Sequence, residues 1–198
     1  MLKLNFSKQF IVEAGLDEAG RGPLAGPVYA AAVILPKGYK NKRLNDSKQL
    51  SEAARMELRA EIERDAVSYA VAFCTPQEID QYNILACSIL AMHRAVERLK
   101  PQPELLVVDG NRFKPFLGIS HQCVVKGDAK YMHIAAASIL AKVYRDEYME
   151  QIALEYPVYD WKKNKGYPTL QHRRMIAEHG FSPYHRLTFR SEIKEHEQ

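Results

Sequence analysis

IVEAGLDEAGRGPLAGPVYAAAVIL, residues 11–35, decides the fold, because two apolar runs flank a glycine-rich stretch that carries adjacent acids. The run at 11–16 predicts a strand, and residues 17–27 predict a glycine-rich loop. The run at 28–35, closed by Pro36 and Gly38, predicts a second strand. This stretch therefore predicts two strands separated by a loop that carries potential functional groups.

The rest of the chain shows helical and strand patterns in turn. Apolar residues at spacings of three and four predict helices over 54–66, 78–100, about 129–155 and 169–179. Short apolar runs predict strands over 69–73, 105–108 and 121–126. Ser47 or Ser51 is a candidate cap for the first helix.

No repeat and no linker interrupts these segments, so they favour an α/β fold with one mixed sheet flanked by helices. We expect one domain over residues 1–198. Its core would span about 11–156, and a helical C-terminal portion would span about 157–198.

Composition argues against several classes of protein. Three cysteines without CxxC spacing indicate neither a disulfide framework nor a cysteine zinc site. Lys3, Asn5 and Lys8 interrupt the first ten residues, and no later run reaches membrane-spanning length. The net charge of +4 is too mild to establish nucleic-acid binding by itself. We expect a cytoplasmic protein with no membrane association.

Acidic residues follow three of the predicted strands. Asp17, Asp109 and Asp128 each come just after a strand, and Glu18 adjoins the first of them. Functional groups gather at strand ends in α/β sheets, so these acids could converge. Oxygen ligands indicate a hard cation, Mg²⁺ or Mn²⁺. Two such ions roughly 3.5 to 4 Å apart can support phosphodiester hydrolysis without a nucleophilic side chain.

Two of these acids also have ordinary structural interpretations. Asp109 precedes Gly110 and could be a turn former. Asp128 could cap the helix that follows it. Taken one at a time, neither residue decides between structure and function.

The Asp17–Glu18 pair is more informative. Neighbours in a regular strand point to opposite faces, so a shared site requires the chain to bend, which Gly15 and Gly20 would permit. Two acids at the end of an apolar strand carry an electrostatic cost that capping does not explain. The pair therefore favours a functional site.

A dinucleotide-binding oxidoreductase is the competing interpretation from another class. Gly20, Gly22 and Ala25 spell GxGxxA after a strand, and Asp46 follows at about the distance of a ribose-binding acid. That fold needs a helix to begin in the loop. A strand over residues 28–35 would exclude it.

Six sequence blocks, taken in order, resemble the bacterial ribonuclease HII family. They are DEAGRGPLAGP (17–27), LNDSKQLS (44–51), VVDGN (107–111), KGDAK (126–130), AAASILAKVYRD (135–146) and NKGYPT (164–169). The resemblance implies a ribonuclease-H-like fold. It also implies an endonuclease that hydrolyses the RNA strand of RNA–DNA hybrids and nicks duplex DNA 5′ of embedded ribonucleotides. Its products would carry 5′-phosphate and 3′-hydroxyl ends.

The resemblance assigns a role to each matching residue. Asp17, Glu18, Asp109 and Asp128 would bind two metal ions, Mn²⁺ or Mg²⁺, and would be the catalytic carboxylates. The turn Gly20-Arg21-Gly22 would lie against the ribose whose 2′-hydroxyl distinguishes RNA from DNA.

Two more residues match substrate contacts of the family. Tyr167 would pack at the RNA–DNA junction, although its simplest alternative is an ordinary core aromatic. Lys48 would contact a phosphate, although an isolated lysine before a helix is more often a solvated charge.

The C-terminal portion carries weaker signals. A basic cluster flanking Tyr167 is typical of a duplex-binding surface or of a solvated helix face; it comprises Lys162, Lys163, Lys165, Arg173 and Arg174. Three histidines are expected to be packing or surface residues rather than zinc ligands; they are His172, His179 and His185. Residues 189–198 contain no paired-aromatic peptide that would dock on a sliding clamp. We therefore expect a monomer with no obligatory protein partner.

Two further functions would use the same residues. One is a structure-specific DNA nuclease of the same fold, against which the GRG turn and Tyr167 argue. The other is a non-catalytic nucleic-acid-binding module, for which clustered carboxylates would repel phosphate unless metal is bound.

Overall fold

Five strands form one mixed sheet in the order β3-β2-β1-β4-β5. The computed structural model describes residues 2–9, 12–44 and 50–192. The strands are β1 (Glu13–Ala19), β2 (Val28–Ile34), β3 (Ser68–Cys74), β4 (Leu105–Asp109) and β5 (Ser120–Val124). β2 runs antiparallel to β1 and β3, whereas β4 runs parallel to β1 and β5. The predicted mixed sheet is confirmed.

Helices accompany the sheet along the chain. They are α1 (Glu52–Asp65), α2 (Pro76–Tyr82), α3 (Ile84–Glu97), α4 (Met132–Glu155), α5 (Trp161–Asn164) and α6 (Leu170–His179). Short 3₁₀ turns cover Gly127–Ala129 and Pro157–Tyr159. No helix in the described ranges has the length and apolar character that crossing a bilayer requires.

Ser51 caps α1, because its hydroxyl accepts a hydrogen bond from the backbone N–H of Ala54 at 3.2 Å. Ser47, the alternative cap, lies outside the described residues. A side-chain acceptor at this position satisfies one of the backbone donors that a helix start leaves unpaired.

The single helix predicted over 78–100 is wrong. The chain forms α2 and α3 instead, with a break at Asn83, whose backbone φ is +67°. The Asn83 side chain accepts a hydrogen bond from the N–H of Ala86 and so starts α3. The apolar spacing continues across the break, which is why spacing alone predicted one helix.

Helices on both faces bury β2 along its whole length. Val28, Ala30 and Ala32 belong to the apolar cluster that includes α3, whereas Ala31 and Val33 belong to the cluster that includes α4. This alternation is the period of two expected of a strand covered on both sides.

α4 approaches the middle of β1 very closely. A Cβ atom at Gly15 would lie 2.3 Å from the backbone carbonyl carbon of His133, so only glycine fits. The close approach packs the first turn of α4 directly against the middle of β1.

The C-terminal portion packs on the glycine-rich loop between β1 and β2. A third apolar cluster joins Leu24 and Ala25 of that loop to Trp161 of α5 and Ile176 of α6. Backbone hydrogen bonds of 2.8 Å reinforce the contact; they run from Leu24 N to Gly166 O, from Gly26 N to Tyr184 O and from Arg186 N to Leu24 O. The loop is therefore held from behind by residues far away in sequence.

Candidate active site

A cavity of about 240 Å³ opens where β1 and β4 end. Its wall contains every site residue predicted from the sequence that lies in the described ranges, namely Asp17, Glu18, Gly20, Arg21, Gly22, Asp109, Asp128 and Tyr167. Lys48 falls in residues 45–49, which are outside the described residues, as is Asp46. The structure thus brings the acids, the GRG turn and Tyr167 to one place.

Asp17 and Glu18 reach this cavity without the expected bend. β1 stays in register with β2 through both residues, which pair with Ala31 and Ala30. Asp17 points toward α4, where it bonds to Ser138. Glu18 lies on the other face, where it also lines a groove formed by Leu85, Ser88, Ile89 and Met92 of α3.

The prediction of a bend is wrong because β4 is the shorter strand. The last β1–β4 pair is Leu16 with Val108, and β4 ends at Asp109. Beyond that point no strand among the described residues pairs with β1 on this side, so side chains from both of its faces reach the same opening. Asp109 stands beside them at the end of β4.

Electrostatic repulsion concentrates on Asp17, which is 5% exposed. Burial raises the pKa of its carboxyl group well above its ordinary value, and the nearby charges of Glu18 and Asp109 raise it further. Hydrogen bonds from Ser138 and from the Glu18 N–H oppose that rise only in part. A cation between these groups would relieve the repulsion and keep all of them ionised.

Backbone amides hold the other two acids. Asp109 Oδ1 accepts from the N–H of Gly127 at 2.6 Å, and Asp128 Oδ1 accepts from the N–H of Ala129 at 2.9 Å. Tyr131 is the N-cap residue of α4 and makes no side-chain cap bond. Asp128 therefore does not cap the following helix, and that interpretation is wrong.

The donor set fits a hard divalent cation in its chemistry, because it consists of four carboxylates around one opening. Across residues 2–9, 12–44 and 50–192, no three acid, imidazole or thiol groups stand close enough to share an ion in the orientations shown. Glu18 pairs with Arg21 at 3.3 Å, and Asp109 and Asp128 bind the amides named above. Metal binding would therefore require these side chains to turn toward one another.

The two glycine positions of the GRG turn differ in whether the surrounding structure requires glycine. Gly20 has a φ of +97°, and a Cβ atom there would lie 2.1 Å from Nε of Arg145. A Cβ atom at Gly22 would meet only Cε1 of Tyr167, at 3.7 Å, which is ordinary contact. The protein's own packing thus demands glycine at position 20 but not at position 22.

Tyr167 lines the cavity beside Gly22 and is 43% exposed. The alternative of an ordinary core aromatic is therefore wrong. The guanidinium carbon of Arg145 lies 5.9 Å from the centroid of its ring.

Sequence reasoning missed several residues at this site. Ser138 and Lys142 lie one helical turn apart on α4, and both line the cavity. Lys142 also pairs with Asp146 at 2.6 Å. Their spacing of four residues within an apolar helical block was the available signal.

Two buried arginines behind the glycine-rich loop were also missed. Arg145 and Arg186 are each 1% exposed, and their guanidinium groups donate only to backbone carbonyls among the described contacts. A sequence shows that an arginine is present, but not that its charge is buried.

Two of the three histidines noted in the sequence are packing residues, as predicted. His172 and His185 are buried, and their Nε2 atoms are 3.1 Å apart. Trp161 Nε1 donates to His172 Nε2, and the Ser182 N–H donates to His185 Nδ1.

Two residues of the basic cluster form contacts within the protein. Lys165 pairs with Glu150, and Arg173 donates to the backbone carbonyl of Glu192. Lys162, Lys163 and Arg174 are exposed. Whether those three side chains contact a duplex stays a prediction.

The dinucleotide-binding alternative is excluded. Residues Val28–Ile34 form a strand antiparallel to β1, whereas that alternative requires a helix to start in the preceding loop. No helix begins within residues 20–27, all of which are described.

Known proteins share this sequence and architecture. The family model for Ribonuclease HII matches residues 14–192. Ribonuclease HII of Bacteroides fragilis is 64% identical over 179 residues, covering 90% of this chain and 89% of the relative.

Two solved structures resemble the fold closely. Ribonuclease H2 from Pyrococcus horikoshii has a TM-score of 0.79 and 27% identity, covering 90% of this chain and 94% of its own. RNase HII of Archaeoglobus fulgidus, solved in complex with PCNA, has a TM-score of 0.77 and 26% identity, with coverages of 93% and 98%. The expected ribonuclease-H-like fold is confirmed. The chain therefore belongs to the ribonuclease HII family of endoribonucleases.

Proposed function

We propose that this protein hydrolyses the RNA strand of RNA–DNA hybrids and nicks duplex DNA on the 5′ side of embedded ribonucleotides. The products would carry 5′-phosphate and 3′-hydroxyl ends. One observation carries the proposal: four carboxylates share a single cavity with the GRG turn and Tyr167. The carboxylates suit phosphodiester chemistry, and the turn and the tyrosine suit recognition of a ribose.

Asp17, Glu18, Asp109 and Asp128 would hold two divalent ions, Mn²⁺ or Mg²⁺. When bound, such ions lower the pKa of the attacking water and stabilise the oxygen that leaves the phosphorus. The repulsion around Asp17 supports this assignment, because burial and the nearby charges of Glu18 and Asp109 raise the pKa of its carboxyl group, and bound cations would offset that effect.

Residues of α4 complete the catalytic side of the cavity. The Ser138 hydroxyl donates to the Asp17 carboxylate and so fixes its direction. Lys142 brings a positive charge to the same wall, where a substrate phosphate would lie. Because Asp146 holds the Lys142 ammonium group, that charge stays in place before substrate arrives.

Recognition of RNA would fall to the turn and the tyrosine. Gly22 and Tyr167 are neighbours in the cavity wall, since a Cβ atom at Gly22 would lie 3.7 Å from Cε1 of Tyr167, so a sugar in the cavity can contact both the backbone of the turn and the tyrosine. A ribose 2′-hydroxyl can both donate and accept hydrogen bonds, which lets backbone groups tell RNA from DNA at one position. A DNA nuclease of the same fold would have no use for such a turn.

The proposed enzyme works as a monomer without an obligatory protein partner. The Archaeoglobus fulgidus relative was solved in complex with PCNA, so one family member binds a protein partner. In this chain, residues 189–198 lack a paired-aromatic docking peptide. Cleavage by the purified chain alone is the corresponding expectation.

The test uses a duplex DNA with one embedded ribonucleotide and an all-DNA duplex of the same sequence. We expect the wild type, with Mg²⁺ or Mn²⁺, to nick the first duplex 5′ of the ribonucleotide and to leave the second intact. Asp17→Asn should lose this activity, and the matched control Asp65→Asn, a partly buried carboxylate at the end of α1, should keep it. Absence of a metal-dependent nick by the wild type, or an undiminished nick by Asp17→Asn, would contradict the proposal.

A further inference from the structure

Two buried guanidinium groups lie directly behind the GRG turn. Within the described ranges, neither Arg145 nor Arg186 forms an ion pair; each instead donates to three backbone carbonyl oxygens. Taking a charge out of water is costly unless hydrogen bonds compensate it. The hydrogen bonds that compensate both arginines are therefore made to the backbone of the loops that they hold.

Arg186 holds the turn itself. Its Nη2 donates to the carbonyl of Gly20 at 2.6 Å, its Nη1 to the carbonyl of Arg21 at 3.1 Å, and its Nε to the carbonyl of Gly26 at 2.9 Å. A trans peptide directs its N–H opposite to its carbonyl. Because two successive carbonyls point inward at Arg186, the N–H groups of Arg21 and Gly22 point the other way.

Arg145 connects the loop to the tyrosine. Its Nη2 and Nε donate to the carbonyls of Ala25 and Pro27, both at 3.1 Å. Its Nη1 donates to the carbonyl of Lys165 at 3.0 Å, two residues before Tyr167, and the same guanidinium lies 5.9 Å from the Tyr167 ring. One side chain thus fixes the position of Tyr167 relative to the glycine-rich loop.

We propose that Arg145 and Arg186 are positioning residues for ribonucleotide recognition. They fix the outward N–H groups of the turn, and the gap to Tyr167, before substrate binds. The inference rests on the proposed function. Lysine keeps the charge at either position but lacks the planar fork, so it cannot bind three carbonyls in fixed directions.

The experiment compares Arg186→Lys and Arg145→Lys with the wild type. The matched control is Arg94→Lys, because Arg94 also donates to a backbone carbonyl, that of Phe73, but does so on α3 away from the cavity. Two constants are measured: KM for the duplex with one ribonucleotide, and the inhibition constant of the all-DNA duplex as a competitor. Neither constant depends on what fraction of a variant is folded.

We expect KM to rise by roughly tenfold to 100-fold in both variants, since misplacement by about 1 Å can cost that much. The inhibition constant of all-DNA duplex should change by less than about twofold, because backbone phosphate contacts persist. Arg94→Lys should change neither. Unchanged KM in both variants, or an equal loss of affinity for both duplexes, would overturn the proposal.

A second variant tests the contribution of the guanidinium fork itself. Arg186→Ala, refolded and assayed with guanidinium chloride at millimolar concentration, should regain part of the lost affinity for the ribonucleotide duplex. Ammonium chloride at the same concentration should not restore it, because ammonium lacks the fork. Equal effects of the two salts would overturn the proposal. Failure of the wild type to cut any ribonucleotide substrate would instead overturn the proposed function.

Discussion

The two walls of the cavity are built in opposite ways. On the strand ends, Asp17, Glu18 and Asp109 repel one another, and their present partners are single amides, a hydroxyl group or an exposed arginine. On the loop side, Arg145 and Arg186 each satisfy three carbonyls in fixed directions. The first wall concentrates negative charge, and the second holds two buried positive charges.

The charges of the loop-side wall are satisfied by the chain's own hydrogen bonds, whereas those of the strand-end wall would need bound cations. Groups that must bind cations are kept destabilised in their absence, a cost that active sites commonly carry. Groups proposed to recognise a sugar are held in place by the fold, which would lower the entropy lost on binding. Substitutions on the two walls should therefore have opposite effects on stability.

The largest expected effect is on the strand-end wall. Asp17→Asn should reduce cleavage by roughly a thousandfold, since metal ions supply several kcal/mol of transition-state stabilisation. The same variant should unfold at a higher temperature than the wild type in EDTA, because one buried repulsive charge is gone. Thermal melting and a gel assay measure the two effects.

Metal dependence sharpens this prediction. Added Mg²⁺ should raise the melting temperature of the wild type, because an ion that binds only the folded state stabilises it. It should raise that of Asp17→Asn much less, whereas Asp65→Asn should respond as the wild type does. A lower melting temperature for Asp17→Asn in EDTA would show that the wall is not under repulsion.

The loop wall should respond in the opposite direction. Gly20→Ala adds a methyl group that meets the Arg145 guanidinium, at a backbone angle that L residues rarely adopt. We expect it to destabilise the fold by about 3 kcal/mol, through overpacking and backbone strain together. Urea unfolding measures this loss, and Gly22→Ala is the matched control. Equal stability of the two variants would contradict the packing described for Arg145.

The sequence predicted the strand-end wall well, and the reason is physical. Acids at the ends of apolar strands are visible as a local pattern, and strand ends gather at one edge of a sheet. Local patterns alone left Asp109 as a possible turn former and Asp128 as a possible helix cap. The resemblance of six sequence blocks to one family assigned both to the same site. How Asp17 and Glu18 share a site depended on β4 being shorter than β1, which no local pattern records.

The loop wall was much less predictable. Arg186 lies more than 160 positions from Gly20, and its role depends on the fold bringing them together. The break at Asn83 was missed because a left-handed residue that caps the next helix leaves the apolar spacing intact. Residues that act through backbone carbonyls leave no motif, whereas residues that act through their own side chains often do.

The C-terminal portion behind the loop should be sensitive to acid. Burial, and then the neighbouring His172, lower the pKa of His185 from 6.5 to about 4, and burial also lowers the pKa of His172. The unfolded chain takes up these protons near pH 6.5, whereas the folded chain resists them. Stability is therefore complete above pH 6.5 and is lost as the pH falls toward 4, by roughly 2 kcal/mol.

Fluorescence of the single tryptophan, Trp161, measures this loss, because its ring lies 5.3 Å from that of His185. Urea unfolding between pH 7 and pH 4 should show that the free energy of unfolding falls less steeply with pH for His185→Gln than for the wild type. His179→Gln, which removes a half-exposed histidine on α6, should keep the wild-type slope. A parallel decline in all three proteins would assign the acid sensitivity to other groups.

The smallest expected effect on stability is that of Gly22→Ala, a variant that distinguishes a role in substrate recognition from a role in stability on the loop wall. Gly22→Ala adds a methyl group in ordinary contact with Tyr167, so the free energy of unfolding should change by less than about 1 kcal/mol. The methyl group occupies the space proposed for the ribose, and KM for a duplex with one ribonucleotide should rise roughly tenfold. Competition by all-DNA duplex should be unaffected. A variant that folds normally and keeps the wild-type KM would place the ribose elsewhere in the cavity, and Gly22 would then have no part in telling RNA from DNA.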